Sequence, residues 1–125
     1  MEPLALLTRA EAEIMRVLWS RGDATVHDVV EAMPRPLAYT TVLTMLRILE
    51  QKGVVRREAD SRAHVYYPRI ERDDAARSAV GEIVQSFFAN SKSALAVRLI
   101  NEERPSKDDL QAIKALIESY EGDAS

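Results

Sequence analysis

The chain contains no cysteine. That absence excludes disulfides, zinc–thiolate sites, thiol sensing and cysteine nucleophiles. Glycine is almost as scarce, four in 125 residues and each isolated, so no glycine-rich loop is available to cradle a phosphate. The two histidines, His27 and His64, fall in no metal-binding motif, and neither a metal nor another cofactor is expected. No uninterrupted apolar run approaches the roughly 20 residues of a membrane span. The opening Met-Glu-Pro-Leu lacks the basic region of a secretory signal, so a cytoplasmic protein without membrane insertion is expected. Paired acids stand at Asp73-Asp74, Glu102-Glu103 and Asp108-Asp109. Helix starts account for the first and third pairs, and a solvated tail for the second. Serine, histidine and aspartate occur in no nucleophile motif, and the chain is not expected to be an enzyme.

Positive charge also looks deficient, with 17 Lys and Arg against 20 Asp and Glu and a net charge of −3. Taken as a total, that balance speaks against nucleic acid. Its distribution points the other way. Residues 1–31 carry three basic and six acidic side chains, and residues 71–125 carry seven and eleven. Between them, residues 32–70 hold seven basic groups (Arg35, Arg47, Lys52, Arg56, Arg57, Arg62 and Arg69) against three acids, a balance of +4. A basic middle between acidic flanks suits a nucleic-acid reader or an electrostatically steered partner site.

Three helices are predicted first. Thr8 followed by Glu11 fits a capping box, and Ile14, Met15, Leu18 and Trp19 then form one apolar stripe that Gly22 ends. Thr25 with Asp28 opens a shorter helix that carries Val26, Val29, Val30 and Met33 inward and cannot pass Pro34 and Pro36. A third helix runs from about Ala38 to Lys52, with Val42, Met45, Leu46 and Leu49 as its buried stripe and Gly53 as its left-handed cap. Val54 to Glu58 and Ala63 to Tyr67 read as a hairpin joined by Ala59-Asp60-Ser61-Arg62 and ending at Pro68. Strand alternation sends one of Tyr66 and Tyr67 to the core and the other to the surface.

Beyond Pro68 the period is helical again. Ala76, Val80, Ile83, Val84 and Phe87 mark a helix ending near Asn90, and Lys92 to Glu103 carries Leu95, Leu99 and Ile100 on one side. Pro105 breaks it, and Ser106 with Asp109 caps a last helix bearing Leu110, Ile113, Leu116, Ile117 and Tyr120. The expected fold is mainly α with a small β-hairpin. An N-terminal winged helix-turn-helix domain would span residues 1–70 and a C-terminal three-helix dimerisation region residues 71–125. The C-terminal helices have wide apolar faces and no obvious second core; oligomerisation is a natural way to bury them, and folding back on the first domain is the alternative. The expected homodimer interface is Val80, Ile83, Val84, Phe87, Leu95, Leu99, Leu110, Ile113, Leu116, Ile117 and Tyr120.

In a winged helix the third helix enters the major groove, which requires a polar second face. Turning by about 100° per residue, Thr40, Thr44, Arg47 and Gln51 lie opposite the buried stripe, flanked by Thr41 and Leu43. Arginine grips guanine bidentately, threonine reaches phosphate or base edges, and apolar groups touch the thymine methyl. Between Pro34 and Gln51 the only acid is Glu50. The hairpin adds Arg56, Arg57, Arg62 and His64, with Arg62 at the turn reaching for phosphate or the minor groove. A second reading is a winged helix whose basic face meets an acidic protein partner, without specific DNA binding.

The segments LTRAEAEIMRVLWSRG, TVHDVVEAM, LAYTTVLTMLRILEQKGVVRRE and RAHVYYP resemble the penicillinase-repressor (BlaI/MecI-like) family over roughly residues 7–121. The specific parts are Leu7, Glu11, Ile14, Met15, Leu18 and Trp19 in the opening, and Ala38-Tyr39-Thr40-Thr41-Val42 at the third helix start. The resemblance implies a homodimeric winged-helix repressor on inverted-repeat operators, with the C-terminal helices as the dimerisation domain. The expected DNA-contacting set is Tyr39, Thr40, Thr41, Leu43, Thr44, Arg47, Arg56, Arg57, Arg62 and His64. Two-fold symmetry would set the recognition helices about one DNA turn, roughly 34 Å, or a multiple of it apart. Family members that control β-lactam resistance are relieved by proteolysis at an Asn-Phe bond, through a partnered membrane metalloprotease sensor. Aligned on Lys92-Ser93, the corresponding dipeptide here is Val97-Arg98. Copper-responsive relatives carry a C-terminal cysteine motif that this chain lacks, which excludes copper sensing through thiolates.

Overall fold

The computed structural model describes residues 7–60 and 63–123. Its elements are α1 (Arg9–Arg21), α2 (Val26–Ala32), α3 (Tyr39–Gln51), β1 (Val55–Asp60), β2 (Ala63–Pro68), α4 (Arg72–Phe87), α5 (Lys92–Glu102) and α6 (Lys107–Asp123). The chain forms two compact units, Met1–Glu82 and Ile83–Ser125, with the division inside α4. No helix among the described residues is long and apolar enough to cross a membrane.

The predicted capping box at Thr8 forms, and Thr25 with Asp28, expected to open the second helix, forms another. The Glu11 amide donates to Thr8 Oγ1 at 3.1 Å while the Thr8 amide donates to Glu11 Oε1 at 2.8 Å. Thr25 and Asp28 repeat the exchange at 3.0 and 3.1 Å and open α2. Each box satisfies two of the amides a helix start leaves without partners. Gly22 and Gly53 close α1 and α3 with φ of 87° and 81°, a left-handed backbone that a β-carbon disfavours.

The apolar faces of these helices meet in one core. Ile14, Met15 and Leu18 of α1, Val29 of α2, and Val42, Leu46 and Leu49 of α3 are wholly buried there. Met45, expected in the same stripe, is only half-buried at the edge of the core. Truncating a central residue such as Leu46 to alanine costs about 2–5 kcal/mol through lost transfer energy and the cavity left behind.

The hairpin is longer than its sequence suggests. Val55 pairs with Pro68, Arg57 with Tyr66 and Asp60 with Ala63, so Ala59 and Asp60 belong to β1 and only two residues connect the strands. Pairing gives those two residues backbone hydrogen-bond partners that a four-residue turn would leave to water. The loop between α1 and α2 adds a bridge to the sheet, with Ala24 and Tyr66 exchanging hydrogen bonds at 3.0 and 2.8 Å. That bridge holds Tyr66 against the helices and decides which tyrosine is core: Tyr66 is fully buried and Tyr67 lies on the outer face.

In the second unit, α5 starts where the Ala94 amide donates to Ser91 Oγ at 3.1 Å, and the Asp109 amide donates likewise to Ser106 Oγ ahead of α6. Among the residues expected at a dimer interface, Val84 is already buried within the single chain, and Leu95 and Ile113 are half-buried. Val80, Ile83, Phe87, Leu99, Leu110, Leu116, Ile117 and Tyr120 are exposed, as are Val97 and Ile100 beside them.

Candidate nucleic-acid interface

Helix α3 presents two chemically distinct faces. Its buried stripe is locked into the core, so the opposite side is held toward solvent without further constraint. That side carries Thr40, Thr41, Thr44, Arg47 and Gln51, all exposed. Thr44 Oγ1 donates back to the Thr40 carbonyl at 3.0 Å, which leaves its methyl and its lone pairs outward. Arg47 has no ion-pair or hydrogen-bond partner among the described residues, so its guanidinium donors face water. Tyr39, at the start of the helix, is 53% exposed.

Two residues depart from the simple wheel. Leu43, expected to flank the polar line, packs half-buried against the core cluster. Ile48, absent from the expected set, is 40% exposed beside Arg47. The same 100° turn places Ile48 near Thr44, but an isoleucine in a sequence is read as core unless its angle is checked.

The acid of α3 does not interrupt this face. Glu50 sits to one side, where its Oε2 lies 3.5 Å from Arg57 Nε on β1. Arg56, on the opposite face of the same strand, stacks over the Tyr67 ring with 4.1 Å to the centroid and pairs with Glu58. The structure thus orients two of the three expected wing arginines through local partners. Exposed pairs of this kind contribute about 0–1 kcal/mol, little enough to be exchanged for a phosphate. His64 is exposed on β2, and Arg62 lies outside the described residues.

Two other members of the basic block pair with acids of α1. Lys52 Nζ lies 2.8 and 2.9 Å from the two carboxylate oxygens of Glu11, which is 4% exposed. Arg35 donates to Glu13 Oε1 at 3.2 Å. Both ties run from the region around α3 back to α1, so these cations set the pose of the helix. Burial alone would push the Glu11 carboxyl up. Hydrogen bonds from Lys52 and Thr8, with the Lys52 charge, outweigh it and hold the group below its ordinary value of 4.5.

A depressed folded-state pKa gives stability that is complete above about pH 4.5 and is lost as pH falls through the folded value. Replacing Lys52 with methionine leaves the Glu11 charge buried and unpaired. The variant is expected to lose about 3 kcal/mol at neutral pH. Its deficit should narrow on acidification, because protonation then relieves the buried charge. Urea unfolding at pH 7 and pH 4 checks both; a deficit constant with pH would show that Glu11 and Lys52 are not coupled.

A family model described as penicillinase repressor matches residues 7–119. The transcriptional regulator BlaI of Mycobacterium tuberculosis is 37% identical over 125 aligned residues, covering 94% of this chain and 89% of that protein. The solution structure of the DNA-binding domain of the repressor BlaI aligns with a TM-score of 0.52 and 28% identity, over 59% of this chain and 93% of that one. Monomeric Bacillus licheniformis BlaI in complex with the blaP half-operator aligns with a TM-score of 0.51 at 28% identity, over the same shares. The chain belongs to the penicillinase repressor family.

Proposed function

We propose that the chain is a sequence-specific DNA-binding transcriptional repressor, acting as a homodimer on inverted-repeat operators. In this reading α3 enters the major groove and the hairpin follows the adjacent backbone. The observation that carries it is the solvent face of α3, where Thr40, Thr44, Arg47 and Gln51 align and the only acid of the helix is neutralised by Arg57. Exposed threonines, an arginine without a partner among the described residues, and an amide are the donors and acceptors that base edges and phosphates require. The half-operator complex named above, whose protein is similar to residues of this chain, supports DNA binding by likeness.

The exposed apolar residues of α4 to α6 form the self-association surface in this reading. Repression is steric: a dimer covers a promoter, and any event that separates the subunits weakens binding, because each half-site alone holds far less. The Val97-Arg98 bond lies inside α5, where Arg98 pairs with Glu102 at 3.1 Å, so cleavage by a membrane metalloprotease would first require local unfolding of that helix.

A mobility-shift titration against the chain's own upstream region tests the proposal. Affinity is expected to fall by roughly a hundredfold or more between about 50 and 200 mM salt, as phosphate contacts release counterions. No shift at low salt would overturn the reading. Equal, weak affinity for any duplex without a protected footprint would favour an acidic protein partner instead.

A further inference from the structure

The core uses one side of α1. At the edge of that side, Trp19 packs half-buried against the core and, with the exposed Arg16 beside it, borders a cavity of 420 Å³ whose far wall is the first part of α4. Every residue lining it belongs to the first unit. The volume falls within the range of about 300–1,000 Å³ typical of small-molecule sites.

The chemistry of the walls is specific. Trp19 donates its indole N–H to the Ile70 carbonyl at 2.9 Å, which fixes the ring as a flat apolar wall. Ala75 and Ala79 on α4 leave the space open, where larger side chains would fill it. Two cations stand at this site, and no acid is among its lining residues. Arg72 places its guanidinium 5.7 Å from the Trp19 ring centroid. Arg16 is exposed and has no partner among the described residues. Among the described residues, neither arginine is paired with a carboxylate.

We infer that this cavity binds a small aromatic carboxylate, its ring packed on Trp19 between the alanines and its carboxylate held by Arg16 and Arg72. Apolar walls supply the affinity by excluding water, and the two guanidinium groups supply the preference for an anion. A neutral molecule of the same shape would fill the space without satisfying either cation.

Trp19 is the only tryptophan of the chain, so one indole resonance in the nitrogen-correlated proton spectrum reports occupancy of the cavity. The full chain is titrated with naphthoate and, separately, with its uncharged counterpart naphthamide. A saturable shift of the indole resonance is expected, with naphthoate bound at least about tenfold more tightly. The double variant Arg16→Gln with Arg72→Gln should bring naphthoate down to the level of naphthamide. Ala79→Leu, which fills the cavity, should abolish both responses. The arginine variants change exposed side chains outside the core, so they decide the matter even if Ala79→Leu fails to fold. No saturable shift, equal affinities for the two compounds, or an unchanged preference in the double variant would overturn the inference. The readout needs no DNA, so its failure is distinguishable from failure of the repressor reading.

Discussion

Leu99→Asp is expected to turn the proposed homodimer into a monomer and to lower operator affinity by roughly 10²–10⁴-fold, the advantage that joining two half-site contacts confers. Leu99 is 60% exposed on α5. A carboxylate there meets water in the isolated chain and leaves its fold intact, but in an apolar interface it would be buried without a partner. Sedimentation across a concentration series gives the oligomeric state, and a mobility shift gives the affinity. A variant that stays dimeric and binds normally would remove α5 from the interface. Val84 serves as the contrast, because it is buried within the single chain. Val84→Asp should lower the melting temperature of the monomer itself, an effect that Leu99→Asp lacks.

Arg47→Ala is expected to cost about 1–3 kcal/mol per half-site in binding to the preferred operator and to relax the choice of base at one position in each half-site. Its guanidinium is exposed, without a partner among the described residues, and central on the solvent face of α3. Deleting it removes the proposed base contact without disturbing an internal one among the described residues. Arg56→Ala provides the comparison. Arg56 is engaged with Glu58 and the Tyr67 ring at the surface. Its loss should weaken binding by a similar amount on every duplex and lower the salt slope by about one. Binding to a panel of operators with single base changes separates the two behaviours. If Arg47→Ala weakens every duplex equally, the residue contacts phosphate and specificity resides elsewhere on α3.

Much of the first unit was legible before any coordinates. The capping boxes at Thr8 and Thr25, the proline barrier after α2 and the glycine stops are local signals, set by hydrogen bonds within a few residues. The buried stripe of α3 and the polar line opposite it followed from helical periodicity, and the structure places Val42, Leu46 and Leu49 inward and Thr40, Thr44 and Arg47 outward. Leu43 and Ile48 were read less well. Both sit at the margin between faces, where burial is decided by which neighbour reaches over them and not by residue type.

Charge was legible only in part. The positive block over residues 32–70 does mark α3 and the hairpin, but counting treats every cation as equal. Lys52 and Arg35 face Glu11 and Glu13 of α1, and Arg57 faces Glu50. These partners are 41, 22 and 7 positions apart in the chain, far enough that only folding brings them together.

By itself, then, the sequence determined the order of the elements, the starts and stops of the helices, and the one face of α3 free to meet DNA. Each of these depends on the spacing of residue types along a short stretch. Tertiary structure alone decided that Tyr66 and not Tyr67 joins the core, that Lys52 clamps α1 to the end of α3, and that Val84 is spent inside the chain. It also opened the cavity beside Trp19. The tyrosine, the clamp and the cavity are meetings between distant segments, and no local period encodes which of two equivalent side chains finds a partner across the fold.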